Sequence, residues 1–373
     1  MLELDLNVTN RCNLLCKHCV FNSGAPNDDE LSLMEIRTII DDAKEQGLED
    51  LHITGGEPLL RKDLTDIISY ADSRGLKLRL ISNGTLLTGA KLTELKQAGL
   101  RELMISLDGM EGQHDEIRGC RGSFQKTVTA VTQAVQMGFN VRVNAVAFAF
   151  NLEDLLELVH FLNELKVSAF SVFLFSPTGR GSALESWLVE REDWLGFCDR
   201  LAGLTRDMNM KVIVEKGYHL LSEPPIRREA VTGPGAGCSQ LGRKDDYLII
   251  TSEGSVWPCI LMVNSGYPLG NIRHNPLKEV LGQKKHTDFY HSLLTGLEEC
   301  ECCGNFDQCQ GGCRGYAFLM ENDWKRKDPR CSAEREYFPL CPIMKRNLKT
   351  NHIGGSSEQA IGSQIREEVN HGL

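Results

Sequence analysis

The chain has no secretion signal of the usual kind. Its first residues, MLELDLNV, are acidic and alternating where such a signal is basic and then apolar. It has no uninterrupted apolar run near the ~18 residues of a membrane span. It is short of positive charge, with 41 Lys and Arg against 51 Asp and Glu, a formal charge of -10, and no local basic patch. A phosphate backbone would be repelled over most of such a surface, so nucleic acid is not an expected partner, and neither is a membrane. No internal repeat is visible. The glycine-rich TGPGAG at 232–237 lacks the Lys-Ser/Thr and the helix pattern of a phosphate cradle and reads as a hinge. What remains is a cytoplasmic globular protein of 373 residues, with room for one large domain and a smaller one.

Cysteine, in contrast, is abundant. Fourteen thiols in a reducing compartment read as metal or cofactor ligands, because disulfides are rare there. Three of them, Cys12, Cys16 and Cys19, fall within CNLLCKHC. A closed structural site takes four protein ligands, whereas a catalytic site keeps a coordination position open. Three thiolates on a cubane iron–sulfur cluster would leave one iron free to bind a substrate or cofactor. A zinc knuckle with a distant fourth ligand is the alternative that this loop alone leaves open.

Around the loop, the first half of the chain alternates strand and helix patterns. Strands are expected at 2–8, 50–54, 77–82, 102–107, 140–147 and 168–174. Ser32 and Glu35 form a capping box for a helix whose Ile36, Ile39, Ile40 and Ala43 share a face and whose end suits Gly47. Another helix is expected from Asn151, with leucines at helical spacing. Six such alternations predict an α/β fold, a parallel partial (β/α)6 TIM-like barrel over 1–185 with right-handed crossovers. A helical connector is expected over 186–232 and a small cysteine-rich domain over 233–345, with a β-hairpin turning at 252–255. Residues 346–373 read as a flexible polar tail. In parallel barrels the working residues lie in the loops after the strands. The unusual loops fall there: the cysteine loop, GGEP at 55–58, SNG at 82–84, SLDG at 106–109 and SPTGRG at 176–181 should converge on one mouth.

The C-x3-C-x2-C spacing, followed by GGEP after the next strand, resembles the radical S-adenosylmethionine (SAM) superfamily over about residues 1–185. The resemblance implies that Cys12, Cys16 and Cys19 hold a 4Fe–4S cluster whose free iron is chelated by the amine and carboxylate of SAM. One electron then cleaves SAM to a 5′-deoxyadenosyl radical, which abstracts a hydrogen atom from the substrate. By the same resemblance Gly55, Gly56 and Glu57 meet the methionyl amine, Ser106 the ribose or carboxylate, and Arg118 the carboxylate. His18 stands where the family usually has an aromatic lining the adenine, and is read as an adenine neighbour. The plainer readings make Ser106 and Asp108 caps or strand ends and Arg118 a surface residue; Asn83 and Asn144 are further candidates.

Toward the carboxyl end, Cys238 is followed by Gly254 and Cys259. Then come Cys300, Cys303, Cys309 and Cys313 in C-x2-C-x5-C-x3-C order, and Cys331. This resembles the SPASM pattern of auxiliary iron–sulfur clusters, with a double zinc ribbon as the alternative. The resemblance implies two further 4Fe–4S clusters, three in all. Cys238, Cys259 and Cys313 would hold the first, and Cys300, Cys303, Cys309 and Cys331 the second. No cysteine lies between Cys238 and Cys259, so the first would be one ligand short, its free iron open or bound by Cys341 or Cys302. Cys120 and Cys198 read as buried or incidental thiols. Ile260 stands where sulfatase-maturing relatives carry an Asp suited to act as a base. All four ligands of the second cluster are Cys, where the pyrroloquinoline-quinone maturase uses an Asp. Both departures count against those reactions, and no general acid or base is assigned.

The expected function is that of an oxygen-sensitive radical SAM oxidoreductase or maturase. A ribosomally made peptide or protein is the first expectation for its substrate, since SPASM enzymes mostly act on these. The first strand starts at once, leaving no room for a leader-binding domain, so a separate peptide-carrier protein would fill that role. The alternative is a small molecule such as a tetrapyrrole, oxidatively decarboxylated on the way to haem, because 311–331 and 173–181 resemble segments of both kinds of enzyme. A non-enzymatic iron–sulfur electron carrier or scaffold is a third reading, but such a protein has no use for an amine-binding turn. The chemistry implies a low-potential flavodoxin or ferredoxin as reductant.

Overall fold

The computed structural model describes residues 2–215, apart from 26 and 28, and residues 246–331, apart from 285, 295–296, 302 and 304–310. Cys238, Cys302, Cys309 and Cys341 lie outside the described residues, as do the 232–237 hinge and the 346–373 tail.

Seven parallel strands run in chain order: β1 (Leu2–Asn7), β2 (Leu48–Thr54), β3 (Lys77–Ser82), β4 (Glu102–Ser106), β5 (Asn140–Ala147), β6 (Ala169–Leu174) and β7 (Lys211–Glu215). The crossovers carry helices α1 (Leu33–Glu45), α2 (Leu64–Ser73), α3 (Gly89–Gln97), α4 (Glu111–Arg118), α5 (Ser123–Gln136), α6 (Leu152–Glu164) and α7 (Arg191–Thr205). On the far edge β8 (Asp246–Ile250) pairs parallel to β1, and β9 (Ser255–Trp257) and β10 (Gly270–Asn271) follow antiparallel. Helices α8 (Leu277–Lys284), α9 (Asp288–Leu294) and α10 (Arg314–Glu321) complete the described chain. The sheet order is β10-β9-β8-β1-β2-β3-β4-β5-β6-β7, the partial TIM-like barrel that the alternation predicts. No described helix is long and apolar enough to cross a membrane.

Two features differ from the sequence reading. The segment read as a helical connector contains β7, whose buried Val212, Ile213 and Val214 extend the barrel sheet beyond six strands. The hairpin with its turn at 252–255 is present, but its first strand is hydrogen-bonded to β1, so it continues the barrel's own sheet. Pairing between residues so far apart in the chain leaves no local signature.

Alternation along the strands separates two faces. Leu4, Leu6, Leu51, Ile53, Leu80, Ile105, Val143 and Val172 turn outward and are fully buried in the core shared with the helices. The α1 stripe of Ile36, Ile39, Ile40 and Ala43 is buried as expected, and the Ser32–Glu35 capping box forms. Each such aliphatic side chain stabilises the fold by about 1.5–3 kcal/mol on leaving water, so the strand ends stand on a rigid frame. The opposite face is polar. Asp5, His52, Arg79 and Glu102 are register partners on β1 to β4. Tyr247 of β8 donates to Asp5 Oδ2 at 2.5 Å, and His52 Nδ1 lies 2.7 Å from Asp5 Oδ1. Since a carboxylate only accepts and a guanidinium only donates, His52 holds its proton on Nδ1 and accepts from Arg79 Nη1 at 2.7 Å through Nε2. Arg79 Nε in turn bonds Glu102.

Candidate functional site

The five loops meet, with the cysteine loop at their centre. Gly56 N donates to Thr9 O and Glu57 N to Arg11 O, both at 2.7 Å. A Cβ on Gly55 would stand 2.6 Å from Thr9 O, and one on Gly56 2.3 Å from Arg11 O. The backbone that these glycines admit is therefore the chain's own cysteine loop. Asn83, after β3, donates from Nδ2 to Asn13 Oδ1 at 3.0 Å. Arg180, from the loop after β6, donates from Nε to Cys16 O at 2.8 Å and from Nη2 to Ser23 O at 3.0 Å. Its own N–H bonds Cys19 O at 3.0 Å. Nothing in the sequence marked Arg180 as the clasp of the loop.

The three thiols are free and suit an iron–sulfur cluster. Each sulfur has an N–H donor directed at it. Leu14 N lies 3.5 Å from Cys12 Sγ, Ser23 N 3.4 Å from Cys19 Sγ, and Arg118 Nη1 3.7 Å from Cys16 Sγ. Donors of this kind stabilise thiolates on a cluster. Burial pushes Cys12 up to about 11 and raises Cys16 as well, despite the opposing Arg118. Without metal these sulfurs keep their protons, and a metal would displace them. Among the described residues, no three His, Cys, Asp or Glu side chains converge as they would on a single ion.

Glu57 is completely enclosed. Its carboxylate accepts from Ser82 Oγ at 2.9 Å, Asn83 N at 2.8 Å and Leu59 N at 3.2 Å. Burial raises its pKa to about 7 against the pull of these donors. Arg118 is buried and not a surface residue. Its Nε forms an ion pair with Asp108 Oδ2 at 2.7 Å, though neither atom has an aligned hydrogen bond. Burial would raise the Asp108 pKa, but the Arg118 guanidinium beside it and the Val146 N–H hold it below the usual carboxylate value. His18 is neutral, because burial lowers its pKa to about 4. Its ring meets Phe148 edge-on at 5.3 Å, and Phe148 packs with Phe150, Phe175 and Trp187 at 5.0 to 5.5 Å. The FAFN stretch after β5, which the sequence reading passed over, thus supplies an aromatic wall beside the cysteine loop.

Ser106, Asn144 and Ser171 are register partners across β4, β5 and β6, forming a polar row at the mouth. Asn144 Oδ1, Ser171 Oγ and, on β1, Asn7 Oδ1 are buried and have no hydrogen-bond partner among the described residues. Buried polar atoms are rarely left unmatched, so these three mark places for a ligand. Asn7 and Ser171 were missed because a lone polar residue in an apolar strand carries no local signal.

In the carboxyl-terminal part, Cys259 follows β9 and Cys313 caps α10. A Cβ on Gly315 would lie 3.2 Å from Cys259 Sγ, which places the start of α10 against that thiol. Cys300 ends a short 3-10 turn, and its carbonyl accepts from Cys303 N at 3.0 Å. Asn264 Nδ2 donates to Val20 O at 2.8 Å, docking this part on the cysteine loop. Cys198 is on the buried face of α7, and Cys120 is half-buried.

Residues 6–162 match the Radical SAM superfamily, and residues 238–305 match SPASM, an iron–sulfur cluster-binding domain. The chain is 29% identical over 341 residues to an AdoMet-dependent heme synthase of Oleidesulfovibrio alaskensis, covering 87% of this chain and 85% of that one. It is 27% identical to the mycofactocin maturase MftC of Mycobacterium tuberculosis, covering 88% and 82%. The crystal structure of Streptococcus suis SuiB bound to S-adenosylmethionine superposes with a TM-score of 0.71 at 21% identity, covering 89% of this chain and 77% of that one, a likeness of fold.

Proposed function

This chain belongs to the radical SAM superfamily and carries a SPASM domain, and from that footing we propose that it cleaves SAM reductively and oxidises a substrate by hydrogen abstraction. The observation that carries the reading is the meeting of the cysteine loop, the GGEP turn and the Ser106–Asn144–Ser171 row at one mouth. Cys12, Cys16 and Cys19 would hold the cluster, which when bound supplies one electron to SAM and so gives rise to a 5′-deoxyadenosyl radical. Gly55, Gly56, Glu57 and Asn7 would receive the methionyl ammonium, whose charge would draw Glu57 toward its anionic form. Arg118 would offer a buried cation to the methionyl carboxylate. Ser106, Asn144 and Ser171 present hydroxyl and amide groups suited to a ribose, and neutral His18 with Phe148 would flank the adenine.

Cys238, Cys259 and Cys313 would hold one auxiliary cluster and Cys300, Cys303, Cys309 and Cys331 another, three clusters in all, with Cys341, Cys302 or an open iron completing the first. A low-potential flavodoxin or ferredoxin would deliver the electron. For the substrate we propose a carboxylate-bearing haem precursor undergoing oxidative decarboxylation. The support is the 27–29% identity to three proteins named AdoMet-dependent heme synthase. A ribosomally made peptide, presented by a separate carrier protein, is the second reading, supported by the 27% identity to mycofactocin maturase. This reverses the order expected from the sequence alone.

Anaerobically reconstituted protein given dithionite and SAM should release 5′-deoxyadenosine, and none from iron-replete protein would leave only a scaffold. With iron-coproporphyrin III added, mass spectrometry should show loss of carboxyl groups. An unchanged porphyrin together with a modified peptide encoded beside the gene would establish the second reading instead.

A further inference from the structure

Asp328 and Arg330 lie in the turn leading to Cys331, and both are buried, Asp328 completely. Arg330 Nε and Nη2 donate to Asp328 Oδ1 and Oδ2 at 3.0 and 2.8 Å. The guanidinium also lies 3.9 Å over the Tyr316 ring. The same carboxylate accepts from Cys313 N at 2.9 Å, and the Asp328 carbonyl accepts from Cys331 N at 2.9 Å. One enclosed ion pair is thus bonded to a residue assigned to each auxiliary cluster. Burying two charges is costly, and replacing such a pair by apolar residues is often stabilising, so stability alone does not account for it. In a low-dielectric surrounding, each charge acts strongly on an electron added nearby. A cation favours the reduced, more negative cluster and an anion disfavours it.

We propose that Asp328 and Arg330 are positioning residues whose opposed charges set the reduction potentials of the auxiliary clusters on Cys313 and Cys331. This rests on the SPASM reading above. The test is an EPR-monitored redox titration of the full-length, iron-loaded protein. Arg330→Gln should lower the auxiliary midpoint potentials and Asp328→Asn should raise them. Each should change the reduced-to-oxidised ratio about tenfold at a fixed applied potential, or about 59 mV for a one-electron couple. Arg330→Lys, which keeps the charge, should stay near the wild type, and the Cys12–Cys19 cluster should not move. Unmoved potentials in iron-replete variants, shifts of the same sign from Gln and Asn, or a Lys variant shifted as far as Gln would overturn the proposal. Should the Gln variant fail to hold iron, the Lys and Asn variants decide alone. A wild type with iron for one cluster only would overturn the auxiliary-cluster reading, and is recognised from iron content before any titration.

Discussion

A methyl group on Gly56 would stand 2.3 Å from the carbonyl oxygen of Arg11. That oxygen already accepts from Glu57 N at 2.7 Å, so it cannot retreat without breaking the bond that joins the GGEP turn to the cysteine loop. Gly56→Ala should destabilise the fold by about 1–3 kcal/mol, as overpacking does, and should displace the loop. Urea unfolding and iron content measure the two effects; normal iron loading with unchanged SAM binding would contradict the expectation.

Arg180 holds the Cys16 and Ser23 carbonyls from the loop after β6. Arg180→Ala leaves two acceptors without that donor, for a loss of about 1–3 kcal/mol. Arg180→Lys, with a single point of attachment, should fall between the two. Hydrogen exchange over residues 16–23 should quicken in the same order, and an unchanged exchange pattern would deny Arg180 its role as clasp.

Glu57 has its pKa raised by burial from 4.5 to about 7. The folded chain therefore binds this proton more tightly than the unfolded one. The stability that it contributes is present below about pH 4.5 and is lost as pH rises through about 7, up to about 3 kcal/mol. Glu57→Gln cannot titrate, so the metal-free variant should gain on the metal-free wild type between pH 5 and pH 8. Denaturation curves at the two values test this; a difference independent of pH would refute the raised pKa. SAM binding should weaken in the same variant.

The two groups of cysteines should separate by phenotype. Cys16→Ala should abolish SAM cleavage, because two thiolates should not hold a cubane stably. Cys303→Ala should retain some uncoupled cleavage while product formation stops. 5′-Deoxyadenosine and product, quantified in parallel, report both, and full turnover by the Cys303 variant would show its cluster to be dispensable.

Much of the site was legible because its signals are local. The spacing of Cys12, Cys16 and Cys19, the GGEP turn and the Ser32–Glu35 cap each lie within a few residues. Alternation with right-handed crossovers is enough to bring the loops after β1, β2, β3, β4 and β6 to one end of a sheet. The strand β7 escaped notice because its few residues form a strand only by pairing with β6. The glycines of GGEP were expected to admit SAM, and their closest neighbour is the backbone of Thr9 and Arg11. The site's remaining members, Asn7, Ser171, Phe148 and Arg180, are ordinary residues until their neighbours are known.

The sequence by itself determined which atoms could bind a cluster and in what order the loops follow the strands, since ligand spacing and hydrophobic period are properties of neighbouring residues. Only the tertiary structure decided that Arg118 faces Asp108 and Cys16, that His18 is neutral, and that Asn144 and Ser171 stand side by side without partners among the described residues. Charge state and hydrogen-bond satisfaction depend on burial and on residues far along the chain, and these exist only once the sheet has closed around them.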